Sequence, residues 1–114
     1  MYREFVRMPE FERQCAQIGL NEDDIRSIET ELLSNPEVGV IMRGTGGVRK
    51  FRIVLPGRGK SGGARVVYLD LKLYEKIYLM TVFSKGASEN LTQSERNAMK
   101  VVVKHIESEL RRDS

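Results

Sequence analysis

Tryptophan is absent from this sequence of 114 residues, and cysteine and histidine occur once each, as Cys15 and His105. One cysteine excludes an intrachain disulfide, and a single Cys and a single His exclude a zinc site built from several thiolates and imidazoles. Proline is limited to three positions, leaving long stretches free to form regular structure. No apolar run approaches the roughly 18 residues needed to span a bilayer. The opening Met-Tyr-Arg-Glu-Phe-Val-Arg lacks the apolar centre of a signal peptide. These features point to a cytoplasmic protein in a reducing setting, folded as one domain over residues 1–114.

The most informative absence is of acid. From Val38 to Leu69 there is no Asp or Glu, while the same stretch carries Arg43, Arg49, Lys50, Arg52, Arg58, Lys60 and Arg65. Residues 1–37 have the opposite balance, with four basic and nine acidic side chains. The net charge of +3 is thus the sum of unlike regions, and the natural partner of the central one is a polyanion.

The sequence predicts an α+β chain. Residues 2–7 alternate and suit a short edge strand. Pro9 opens a helix in which Phe11, Cys15 and Ile18 share a face, and Gly19 stops it. Asn21 caps a second helix with Glu22, Asp23 and Asp24 in its first turn and Ile25, Ile28 and Leu32 as its buried stripe; Pro36 forces its end near Ser34. The acids of this helical hairpin are expected on a solvated outer face. From Val48 the period becomes two: Phe51, Ile53 and Leu55 face the core while Lys50 and Arg52 share the other face. Residues 65–71 and 76–83 read as a hairpin that completes an antiparallel meander, because no connection is long enough for a crossover helix. Thr92 and Glu95 form a capping-box spacing, and Met99, Val102, Ile106 and Leu110 mark the apolar stripe of a last helix.

Two pattern matches fail on their context. Gly57, Gly59 and Gly62 satisfy G-x-G-x-x-G, and Gly59-Lys60-Ser61 resembles the end of a P-loop, whose first glycine would fall at Val54. Both nucleotide motifs require a following helix to receive phosphate on its N-terminal N–H groups, and a strand follows here. The glycine-rich loop with Arg58 and Lys60 instead suits a clasp over a phosphate backbone. Cys15 and His105 lie in separate helices with no reason to meet, and His105 reads as structural. Lys50, Arg52 and Arg65 remain, able to converge on adjacent strands. Such a cluster can cleave RNA without metal: the substrate's 2′-hydroxyl is the nucleophile, and the protein aligns the phosphate, neutralises developing charge and removes a proton. Arginine stays charged, whereas a lysine among cations is a candidate base, here Lys50. Static phosphate binding by the same cluster remains open.

Three segments carry a resemblance. They are Leu33-x-Asn35-Pro36-x-x-Gly39, Gly44-Thr45-Gly46-Gly47-Val48-Arg49-Lys50-Phe51-Arg52, and Gly57-Arg58-Gly59-Lys60-Ser61-Gly62-Gly63-Ala64-Arg65-Val66-Val67-Tyr68. They resemble the HigB branch of the RelE-type toxins of bacterial toxin–antitoxin systems, as does Asn90-Leu91-Thr92 before the last helix. The resemblance implies a microbial-RNase-type fold, with a small twisted antiparallel sheet, an N-terminal helical hairpin and a C-terminal helix, and with the helices packed on one face. It implies a metal-independent endoribonuclease that cuts mRNA in the ribosomal A site and so inhibits translation, with no cofactor, and a cognate antitoxin of helix-turn-helix type. By position Lys50, Arg52, Arg65 and Lys85 match the family's catalytic residues, and Arg49, Arg58, Lys60 and Tyr68 are assigned to RNA contact. RelE itself follows its lysine with an arginine and then a tyrosine, whereas Lys85 precedes Gly86 and no tyrosine follows Tyr78. The donor to the leaving 5′-oxygen is therefore open, with Lys85 and Lys60 as candidates. A gyrase poison of the ParE type, which shares the fold, and a non-catalytic RNA-binding module are the alternatives.

Overall fold

Local sequence signals set the helices. In the computed structural model, which describes residues 2–54, 63–84 and 91–113, α1 (Pro9–Ile18) begins on its proline and ends where Gly19 turns left-handed at φ 81°. There the N–H groups of Gly19 and Leu20 return to Ala16 O and Cys15 O, satisfying carbonyls the helix leaves open. α2 (Glu22–Ser34) starts from a reciprocal box. The Asp24 N–H donates to Asn21 Oδ1 at 2.9 Å, and the Asn21 N–H donates to Asp24 Oδ2 at 2.9 Å. α3 (Gln93–Asp113) begins with the same device, since the Thr92 N–H donates to Glu95 Oε1 and the Glu95 N–H to Thr92 Oγ1. No helix among the described residues is long and apolar enough to cross a membrane.

The strands are β1 (Glu4–Arg7), β2 (Val40–Ile41), β3 (Arg49–Ile53), β4 (Ala64–Leu71) and β5 (Lys76–Ser84), in the spatial order β1-β5-β4-β3-β2. β2 through β5 are antiparallel neighbours, as the short connections require. β1 departs from the expected antiparallel sheet: it runs parallel to β5, with Phe5 opposite Ile77. The hairpin α1–α2 and the strands after it lie between these two partners in sequence, which makes a parallel pairing topologically accessible. A 3₁₀ turn over Lys72–Tyr74 joins β4 to β5, and Glu75 closes it in the left-handed region at φ 55°.

The helices do not share one face. Along β4, Val66 and Tyr68 pack with Phe11, Ile28 and Leu32 of the helical hairpin, whereas Val67 and Leu69 pack with Val103 and Ile106 of α3. Successive strand residues point to opposite faces, so α1 and α2 cover one side of the sheet and α3 the other. This corrects the expectation of helices on a single face. The α3 stripe is also shifted: Met99, Val103, Ile106 and Leu110 face the sheet, while Val102 is exposed. Both stripes have helical spacing, and the run of three valines at 101–103 left the sequence unable to choose between them. A bulge between Val67 and Tyr68 places Met80 outside the one-to-one register, which runs Val67 to Thr81 and then Tyr68 to Leu79.

Arg7 ties β1 to α2 by donating to both carboxylate oxygens of Glu22 at 2.8 Å and to those of Glu29 at 3.0 and 3.2 Å. Hydrogen bonds from Arg7 hold the Glu22 carboxyl below the usual carboxylate range. A folded-state pKa below the unfolded one adds stability above the unfolded value, about 4.3, and that stability disappears as pH falls through the folded value. Urea unfolding of Arg7→Met should therefore show a lower midpoint than wild type at pH 7, and the gap should narrow below about pH 4.

Candidate functional site

The register of β3 against β4 decides which basic residues meet. Phe51 stands opposite Val66, and Lys50 opposite Val67. Phe51 therefore belongs to the hairpin face, where its ring meets Tyr68 edge-on at 5.6 Å. Lys50 and Arg52 belong to the α3 face, with Arg52 exposed and Lys50 half-buried. Arg65 is the direct cross-strand partner of Arg52. Strand pairs of this kind hold Cβ atoms about 5 Å apart, and like charges placed so are destabilising. The fold thus brings Lys50, Arg52 and Arg65 to one patch. All three border a hollow of about 280 Å³ at the open side of β3.

Glu31 of α2 lines that hollow as well, although the sequence assigned the acids of the helical hairpin to a solvated face away from any polyanion. The available signal was its position: Glu31 lies between the buried Ile28 and Leu32, at the border of the α2 stripe, where a long side chain reaches the edge of the sheet beneath.

Two residues assigned to RNA contact lie elsewhere. Tyr68 is fully buried; its hydroxyl donates to Pro36 O at 2.7 Å and accepts from the Gly39 N–H at 2.9 Å. Burial also raises the phenol's pKa. Tyr68 is a core pillar that anchors the loop after α2, because an even-numbered position in β4 points under the helical hairpin. Arg49, on that same face, donates to Gly39 O at 2.7 Å and lies 4.0 Å from the Glu37 carboxylate, so it too braces this loop. Lys85, Arg58 and Lys60 fall outside the described residues.

The Gly44-Thr45-Gly46-Gly47 segment turns β2 into β3. Gly44, Gly46 and Gly47 have φ of 79°, 88° and 111°, a region that L side chains rarely enter. Thr45 is fully buried; its hydroxyl donates to Met42 O at 2.6 Å and accepts from the Val48 N–H at 3.1 Å. A Cβ on Gly46 would lie 3.4 Å from Val103, and Arg96 of α3 donates to Arg43 O. The motif is therefore a seat for α3 that fixes the start of β3, and through it the position of Lys50.

Cys15 is buried, and desolvation pushes its thiol up to about 11, which leaves it without thiolate reactivity at neutral pH. His105 is exposed on α3. No group of three or more His, Cys, Asp or Glu side chains that could hold a metal occurs among the described residues.

Comparison with known proteins agrees with this architecture. The family model described as RelE toxin of the RelE / RelB toxin-antitoxin system matches residues 21–113. A solved structure of a mutant of the E. coli toxin RelE in the free state superimposes with a TM-score of 0.55 at 21% identity, covering 86% of this chain and 97% of that one. At that identity the structural likeness concerns the fold.

Proposed function

Since this chain belongs to the RelE toxin family, we propose that it is a ribosome-dependent mRNA endonuclease that cuts in the A site and thereby inhibits translation. The observation that carries this reading is the pairing of Arg52 with Arg65 across β3 and β4, with Lys50 two residues along on the same face. A phosphodiester seated on the two guanidinium groups has both non-bridging oxygens within reach of planar donors. The 2′-oxygen of the preceding nucleotide attacks phosphorus in line, the bond from phosphorus to the 5′-oxygen breaks, and the products are a 2′,3′-cyclic phosphate and a 5′-hydroxyl. Negative charge grows on the phosphoryl oxygens as the attack proceeds, and the arginines stabilise it. Lys50 takes the 2′-hydroxyl proton. Lys85 or Lys60 returns a proton to the leaving 5′-oxygen. The substrate contains its own nucleophile, so the step needs no metal.

The ribosome supplies the aligned message, and a cognate antitoxin of helix-turn-helix type is the neutralising partner. Induced expression should stop protein synthesis and leave cuts inside codons of translated messages. Normal translation with altered DNA supercoiling would instead assign a gyrase poison, and salt-sensitive RNA binding without cuts on programmed ribosomes would assign a binding module.

A further inference from the structure

On the α3 face the cationic patch does not end at β4. The row that begins with Arg52 and Arg65 continues to Phe83 of β5, and the row that begins with Lys50 and Val67 continues to Thr81. Phe83, Val67 and Thr81 line a groove of about 340 Å³ whose other wall is the start of α3, with Leu91, Glu95 and Met99. This is the small end of the range for ligand sites. Among the described residues Glu95 is the one charged residue that lines it, whereas Glu31, Lys50, Arg52 and Arg65 line the hollow at β3, and Phe83, Leu91 and Met99 are only partly buried.

Resting on the nuclease reading, we propose that this groove is a nucleobase subsite, in which Phe83 is the stacking platform and Glu95 selects against uracil. The spacing favours an RNA base as occupant. Neighbouring strands lie about 4.8 Å apart, so a phosphate on Arg52 and Arg65 has Phe83 one strand away, the separation between a nucleotide's phosphate and its base. Every base has a π-face, so an aromatic side chain stacks on any of them. Glu95 adds discrimination. One carboxylate oxygen accepts the Thr92 N–H in the helix cap, and because Glu95 lines the groove, the other is assigned as the acceptor for a base. Adenine, guanine and cytosine carry an exocyclic amine to donate to it, whereas uracil presents carbonyl oxygens on either side of its N3–H and is repelled.

The test uses the full chain and follows the side-chain NMR signals of Leu91 and Met99 during titration with adenosine 3′,5′-bisphosphate, uridine 3′,5′-bisphosphate or inorganic phosphate. Adenosine bisphosphate should shift both signals and bind about tenfold more tightly than the uridine compound, the size of a stacking and hydrogen-bond difference of about 1.4 kcal/mol. Inorganic phosphate should leave both signals in place. Phe83→Leu should weaken adenosine bisphosphate about tenfold without affecting inorganic phosphate. Glu95→Gln, an exposed change, should bring the two nucleotides to within about threefold of each other, a difference under 1 kcal/mol. Equal affinities for all three probes, or unmoved Leu91 and Met99 signals, would overturn the subsite. Absence of cuts by wild type on programmed ribosomes would instead overturn the nuclease reading, whatever the titrations give.

Discussion

Replacing Lys50 and Arg52 together by alanine is expected to lower mRNA cleavage on programmed ribosomes by at least about 10²-fold to 10³-fold, the scale seen when one preorganised charge-stabilising donor is removed. The fold should survive. Arg52 is exposed on the strand next to the sheet edge, and the core side of β3 is held by Phe51. The far-UV circular dichroism and urea midpoint of the variant should match wild type to within about 1 kcal/mol, since surface substitutions away from packed features have small effects. Arg65→Ala should cause a comparable loss of cleavage, because it stands directly opposite Arg52. Arg49→Ala should spare cleavage per folded molecule, since its guanidinium is engaged with Gly39 O on the other face of the sheet. The contrast between these neighbours in sequence separates a specific site from a general effect of positive charge.

The second large effect concerns stability. Tyr68→Phe removes one hydroxyl and leaves the Gly39 N–H and Pro36 O without the partner they have in the buried interior. A buried polar group left unsatisfied costs about 1–3 kcal/mol, so the variant should lose about 2–4 kcal/mol, read as a lower urea midpoint at unchanged slope. Gly39→Ala should do at least as much damage, because a Cβ there would come within 2.8 Å of the Tyr68 ring and 2.9 Å of Lys50 O, and backbone cannot yield cheaply. Cleavage by the folded fraction of Tyr68→Phe should stay near wild type. A stable variant with weakened cleavage would support the RNA-contact role for Tyr68.

Much of the fold was legible because its signals are local. The Asn21 cap, the Thr92–Glu95 box, the Gly19 stop and the alternation of Lys50, Phe51 and Arg52 each act within four residues, and each appears where its spacing placed it. The parallel pairing of β1 was not legible, since it depends on an edge of β5 left vacant by strands that follow far along the chain. The opposite placement of α3 does have a signal in the sequence. Val66, Val67, Tyr68 and Leu69 are all apolar and all buried, and a strand without a polar alternate is one covered on both faces. That same run puts Tyr68 inside, where its hydroxyl is satisfied by Pro36 O and the Gly39 N–H. The charge of its segment hides Glu31, because α2 reaches the hollow from an acidic segment whose other exposed acids face solvent.

The central claim is that Lys50, Arg52 and Arg65 serve attack by a substrate 2′-hydroxyl in a ribosome-bound message. The most direct test is to determine the ends left on an mRNA cut by the purified protein on programmed ribosomes. The account predicts a 2′,3′-cyclic phosphate or its opened 3′-phosphate upstream and a 5′-hydroxyl downstream, within the A-site codon, and no product when the A-site nucleotides carry 2′-deoxyribose. A 5′-phosphate with a 3′-hydroxyl, or undiminished cutting of the 2′-deoxy message, would contradict it.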